Sequence, residues 1–191
     1  MMETLKDLQV AVIATDGVEE SELTEPVAAL REAGATVAII SPHAGRLTAF
    51  RHHDKSATID VDLTLDKASP GSYDALLLPG GALNADALRA EPSVLKFIQV
   101  IQEAGRPIAA ICHAPWELIS AGLVRGRTLT SYHTIQDDVR NAGGEWINRD
   151  VVIDRNWVSS RQPRDIPKFN QAMIKLIAES ATKESGGRAA A

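Results

Sequence analysis

Four short apolar runs divide the first 111 residues of the chain: "LQVAVIA" (8–14), "TVAII" (36–40), "YDALLLPGG" (73–81) and "RPIAAI" (106–111). Each is continuous rather than alternating, so each reads as a strand covered on both faces, the signature of a parallel sheet. Helical spacing fills the gaps. Leu23, Val27, Leu30 and Ala33 lie on one stripe closed by Gly34, and Pro26 either opens that helix or kinks one begun near Glu20. Val94, Leu95, Ile98 and Ile101 form a second stripe behind Pro92, and "HAPWELISAG" a third helix closed by Gly122. Strands alternating with helices imply an α/β domain, a mostly parallel sheet with helices on both faces. Ligands bind such sheets beyond the carboxyl ends of the strands. That points to three loops, at residues 15–20, 79–84 and 112–116.

The rest of the chain is less regular. Within 43–74, "ATIDVDLTLDKAS" (57–69) alternates and reads as a half-exposed strand. "RTLTS" (127–131) looks extended, "TIQDDVRNAGG" gives a short helix, and "VVIDRNWVSS" (151–160) suits a hairpin around Asn156. "RDIPKFNQAMIKLIAES" carries a final helix. "ATKESGGRAAA" (181–191) has the small and polar composition of a disordered tail. No linker interrupts 1–180, so one domain is expected there.

Composition narrows the function classes. Hydrophobic residues are 45% and charged residues 24% of the chain, enough apolar material for a core without metal or disulfide staples. The net charge of −5 and scattered basic residues give no electrostatic footprint for nucleic acid. No apolar run approaches the roughly 20 residues of a membrane helix, and the first residues lack a signal-peptide layout, so a cytoplasmic location is expected.

The single cysteine, Cys112, falls where the "RPIAAI" strand meets the next helix. A residue at such a junction occupies a sharp turn that lifts its side chain to the top of the sheet. Free N–H groups of the following helix should favour thiolate and lower the thiol pKa. Against this stands an inert buried cysteine, which behaves as a small hydrophobe. Gly80-Gly81, with the N–H of His113, could hold a developing oxyanion, although Gly-Gly alone means only a tight turn. An acidic residue of "DGVEESE" could reach the same crevice and hydrogen-bond the sulfur. His113 can serve as base only if the turn bends it back toward its neighbour, and His133, at another strand end, rivals it on geometry. His43, His52 and His53 read as surface residues, since no third spaced ligand argues for metal. Trp116 lies close enough to the turn to line a substrate entrance.

Together these segments resemble the ThiJ/PfpI superfamily, most closely its PfpI (intracellular protease I) branch. The resemblance runs from Val10 to about Ile177 on "GVEESEL", "YDALLLPGG", "AAICHAP", "LISAGLVRGRTLTSY", "DDVRNAGGEW" and "WVSSRQPRDIPKF". It implies a flavodoxin-like three-layer sandwich with Cys112 at a strained elbow. Glu19 would be the carboxyl bonded to the thiol and His113 the histidine beside it, with no metal or organic cofactor. It implies a stress-related role, a homodimer that protease members assemble into hexamers, and one of three activities. Those are ATP-independent proteolysis, removal of early glycation adducts, and conversion of methylglyoxal or glyoxal to the hydroxy acid. Protease members carry a glutamate shortly after Gly-Gly, donated by a neighbouring subunit. Here that position is Ala85, followed by Asp86, so the acid that would orient His113 is displaced or missing.

The leading expectation is therefore a cofactor-independent cysteine enzyme in which Cys112 attacks the carbonyl of a small aldehyde, a glycated adduct or a peptide. Gly80, Gly81 and the His113 N–H would hold the oxyanion. The alternative is a redox-sensing stress protein or holdase without turnover, since a reactive thiol oxidises readily. A class I glutamine amidotransferase shares the elbow but needs flanking glycines and a His-x-Glu, whereas here Ile111 and His113 flank the cysteine and Thr134-Ile135 follow His133.

Overall fold

A computed structural model describes residues 4–189, with side chains described through residue 183. The chain runs β1 (Gln9–Ile13), α1 (Glu20–Glu32), β2 (Thr36–Ser41), a hairpin of β3 (Arg46–Arg51) and β4 (Asp54–Asp60), and β5 (Leu63–Thr64). It continues with β6 (Ala75–Leu78), α2 (Ala82–Leu88), α3 (Pro92–Glu103), β7 (Ile108–Ile111), α4 (Pro115–Ser120), β8 (Thr128–Leu129) and α5 (Gln136–Asn141). It closes with β9 (Glu145–Trp146), β10 (Val151–Asp154), β11 (Trp157–Ser160) and α6 (Ile166–Ala189). The central sheet has the order β10-β11-β7-β6-β1-β2-β5 and is parallel apart from edge strand β10.

The apolar runs are continuous because the sheet buries both faces. Side chains alternate across a strand. Val10, Val12, Ala75, Leu77, Ala109 and Ile111 face one core, with Leu23, Val27 and Leu30 of α1 and Phe169, Met173 and Ile177 of α6. Ala11, Ile13, Leu76, Leu78, Ile108 and Ala110 face the other, with Val94, Phe97, Ile98 and Ile101 of α3, Leu118 of α4 and Val139 of α5. This is the expected three-layer sandwich. Pro26 lies inside α1 on its buried side, so the carbonyl of Glu22 gets no α-helical bond from it.

Two stretches differ from the sequence reading. The segment after β2 holds a two-stranded hairpin that begins at Arg46, and the extended strand read at 57–69 is split between β4 and β5. In β3 only Leu47 and Ala49 are buried, alternating with Arg46, Thr48 and Phe50, a stretch too short to stand out, and its pairing with β4 shifts register between Thr48 and Phe50. The final helix continues to Ala189, into the segment read as a tail.

The carboxyl ends of β1 and β6 are tied together by a buried amide. The Asn84 Oδ1 accepts the Thr15 N–H at 2.8 Å, and its Nδ2 donates to the carbonyls of Pro79 and Gly80 at 3.1 and 3.2 Å. We expect Asn84→Ala to orphan these groups and to lower unfolding stability by about 2–3 kcal/mol, measured by denaturant titration. A second buried polar group is unpaired. Glu117 of α4 is fully enclosed, neither carboxyl oxygen has a hydrogen-bond partner among the described residues, and burial pushes its pKa well above the usual carboxylate range. A folded-state pKa raised this way stabilises below the unfolded pKa and loses that contribution as pH rises. Glu117→Leu should therefore lose less stability than wild type between pH 5 and 8, read as unfolding free energy at each pH.

Candidate active site

The site is built on Cys112, the first residue beyond β7. Its φ of +62° lies in the left-handed region that a residue with a side chain seldom adopts. Two backbone bonds hold it there. Its N–H donates to the Ser160 carbonyl at the end of β11 at 3.1 Å, and its carbonyl accepts the Tyr132 N–H at 2.8 Å. The turn bends the next side chain back, so that His113 Nδ1 lies 3.1 Å from Cys112 Sγ. His113, rather than His133, is thus the histidine at the sulfur. Its ring packs against Trp116 and Tyr132, with centroids 5.2 and 4.9 Å away. Its Nε2 meets the Thr134 hydroxyl at 3.4 Å. Burial first, and the nearby His133 second, lower the His113 pKa. The ring is therefore neutral near pH 7, with a lone pair available to accept a proton.

The carboxyl beside the thiol is Glu22, not Glu19. Glu19 is the N-terminal flanking residue of α1, and its carboxylate accepts the His52 N–H at 2.9 Å on the exposed β3–β4 turn. Glu22, one turn later, is fully buried behind Gly80 and next to the sulfur. A Cβ placed on Gly80 would collide with both the Glu22 carboxyl and the Cys112 side chain. Burial first, and the Glu19 charge second, push the Glu22 pKa up to about 8. The Cys112 thiol and the Gly80 N–H pull it down. Among the described residues neither carboxyl oxygen makes a hydrogen bond of full geometry, so these are close electrostatic contacts. One signal in the sequence could have separated the two acids. Glu22, Pro26 and Leu30 are spaced by four, which puts Glu22 on the buried stripe and leaves Glu19 ahead of the helix.

Two further expectations change. The Gly80 N–H faces the Glu22 carboxyl, so the amides that face the sulfur are those of Gly81 and His113. The thiol, expected to be acidic, is instead pushed up, by burial first and by the Glu22 charge second. Cys112 is only 7% exposed. The helix beyond it starts at Pro115 and spans six residues, too short and too far to outweigh burial. Below about pH 8 Glu22 keeps its proton, which removes the repulsive charge from beside the sulfur.

The remaining candidates lie outward. Trp116 packs on His113, donates from Nε1 to Asp138 at 2.8 Å and lies under the Arg89 guanidinium. Asp86 is exposed on α2 while Ala85 is buried, and no contact joins Asp86 to His113 among the described residues. His52 and His53 are exposed, and His43 pairs with Asp16 at 3.4 Å. No cluster of three or more His, Cys, Asp or Glu among the described residues is placed to hold a metal ion, and none of their helices is long and apolar enough to cross a membrane.

The buried Glu22 makes stability depend on pH. Its folded pKa of about 8 exceeds the ordinary carboxylate value. Its contribution is complete below about pH 4.5 and lost as pH rises toward 8. Glu22→Gln should flatten the fall in unfolding free energy over that window.

Comparison with known proteins bears on the family and the fold. Residues 8–176 match the DJ-1/PfpI family. The chain is 40% identical over 170 residues to Deglycase TK1284 of Thermococcus kodakarensis, covering 89% of this chain and 99% of that one. It is 41% identical over 170 residues to Protein/nucleic acid deglycase 2 of Escherichia coli, covering 88% and 97%. The crystal structure of Drosophila melanogaster DJ-1beta superposes with a TM-score of 0.83 at 27% identity, covering 94% of this chain and 96% of that one. The family match spans the strands, the elbow and the buried carboxyl alike, and the chain belongs to the DJ-1/PfpI family.

Proposed function

We propose that the protein is a PfpI-type cysteine enzyme acting on reactive aldehydes and the early adducts they form with thiols and amines. One observation carries this reading: a cysteine on a strained elbow, 3.1 Å from a neutral histidine, beside a carboxyl that keeps its proton to about pH 8. Relatives at about 40% identity named as deglycases support it.

Because burial opposes a free thiolate, the proton leaves as the bond forms. Cys112 Sγ adds to the carbonyl carbon, the S–H proton passes to His113 Nδ1, and the carbonyl π pair becomes an alkoxide facing the Gly81 and His113 amides. Glu22 gives its proton to that oxygen, which makes a hemithioacetal. The carboxylate then formed takes the proton from the adduct carbon while the His113 imidazolium gives its proton to the adjacent carbonyl oxygen, which makes an enediol and leaves the ring neutral. Glu22 returns the carbon proton to the adjacent carbon and takes the hydroxyl proton from the sulfur-bearing carbon, whose C–O bond becomes the thioester carbonyl. The resulting thioester is hydrolysed by water, which releases a hydroxy acid and restores the thiol. Peptide hydrolysis would require a histidine held firmly enough to protonate an amine leaving group. The in-chain partner of His113 is a hydroxyl at 3.4 Å, which favours the aldehyde reaction over proteolysis. The reading includes a cytoplasmic homodimer, an expectation carried by the family and tested by light scattering at several concentrations.

The test is a substrate panel on purified wild type: methylglyoxal, its thiol and amine adducts, and a peptide. Cys112→Ser should abolish turnover of the aldehyde and its adducts, a loss of at least about a thousandfold. Retained turnover in that variant would overturn the reading. Aggregation suppression that survives Cys112→Ser, with no turnover by wild type, would establish the holdase alternative instead.

A further inference from the structure

His113 has two ring nitrogens with different neighbours. Nδ1 faces the Cys112 sulfur at 3.1 Å. Nε2 faces the hydroxyl of Thr134, on the turn that precedes α5, at 3.4 Å. The thiol donates when protonated, so the neutral ring can accept from it only with its own proton on Nε2. That Nε2–H then needs an acceptor. The other rings beside His113 are those of Trp116 and Tyr132, which meet its faces. The one side-chain oxygen bonded to Nε2 among the described residues is Thr134 Oγ1.

We propose that Thr134 is a positioning residue for His113: its hydroxyl accepts the Nε2–H and holds the tautomer that leaves Nδ1 free to take the Cys112 proton. The inference rests on the reading of His113 as the base. It assigns to a neutral hydroxyl of the same chain the orienting role that a carboxylate would fill in a charged triad. The choice has an electrostatic consequence. A carboxylate beside Nε2 would favour imidazolium and raise the ring pKa, whereas a hydroxyl steers the ring without adding charge. The bond is long in the resting site. It shortens when the ring becomes imidazolium and Nε2–H becomes a charge-assisted donor.

The experiment uses the full chain with ¹⁵N-labelled histidine, assigned by the His113→Gln difference, together with steady-state kinetics on methylglyoxal adducts. Wild type should show neutral His113 mainly as the Nε2–H tautomer. Thr134→Val should shift population toward Nδ1–H and lower kcat about tenfold with KM changed less than about threefold. Thr134→Ser should restore both readouts, and Thr134→Asp should raise the His113 pKa by about one unit. A wild-type ring in the Nδ1–H form, a Val variant with unchanged tautomer and kcat, or a Ser variant as impaired as Val would overturn the proposal. The tautomer readout needs no turnover. If wild type converts none of the substrates, the functional reading fails while the spectrum still decides the role of Thr134.

Discussion

The left-handed backbone of Cys112 is the constraint on which the site depends. Such a conformation costs on the order of 1–3 kcal/mol for a residue with a side chain. It persists because both backbone polar groups of Cys112 are taken, one by the end of β11 and the other by Tyr132. Those partners come from segments 20 and 48 residues further along the chain, so the elbow forms only when the sheet has been completed on that side. The same turn brings two adjacent side chains, Cys112 and His113, into contact, which an ordinary strand or helix would not allow.

Around that elbow the protein arranges opposing electrostatic effects. Burial disfavours charge on the sulfur and on Glu22 alike, so the pair begins the reaction with its protons in place. Burial also keeps His113 neutral. On the proposed mechanism, reactivity lies in proton transfer along short paths during bond formation, more than in a thiolate standing ready. Only the amides of Gly81 and His113 pull the other way; the first lies in the loop that Asn84 staples together and the second on the elbow itself.

Much of the fold could be read from the sequence because its strands are buried on both faces, and continuous runs such as "DALLL" and "PIAAI" carry that signal directly. The β3–β4 hairpin was hidden because β3 buries only Leu47 and Ala49 and β4 is largely exposed. Cys112 was legible from its junction, and the pairing with His113 was stated as a condition on the turn that the structure meets. The resemblance implied Glu19, whereas Glu22 lies beside the sulfur; the acidic run offers three glutamates within four residues, Glu19, Glu20 and Glu22. Only the helical phase of the stripe separates them. The direction of the thiol pKa was missed for a different reason. A helix dipole can be inferred from local sequence, but depth of burial is set by distant segments.

The crowding at Gly80 has a consequence for anyone seeking to alter the enzyme's selectivity. The space behind the sulfur is occupied by the Glu22 carboxyl and the Cys112 side chain, and any added carbon there collides with both. Diversity introduced on that inner wall would cripple the protein before it changed what enters. The outer rim is different in kind. Trp116 and Tyr132 each pack in tilted contact on the His113 ring, His133 packs on Tyr132, and Arg89 reaches over the indole from a neighbouring helix end. A directed-evolution library for new substrates should therefore freeze the glycine wall and randomise the aromatic rim.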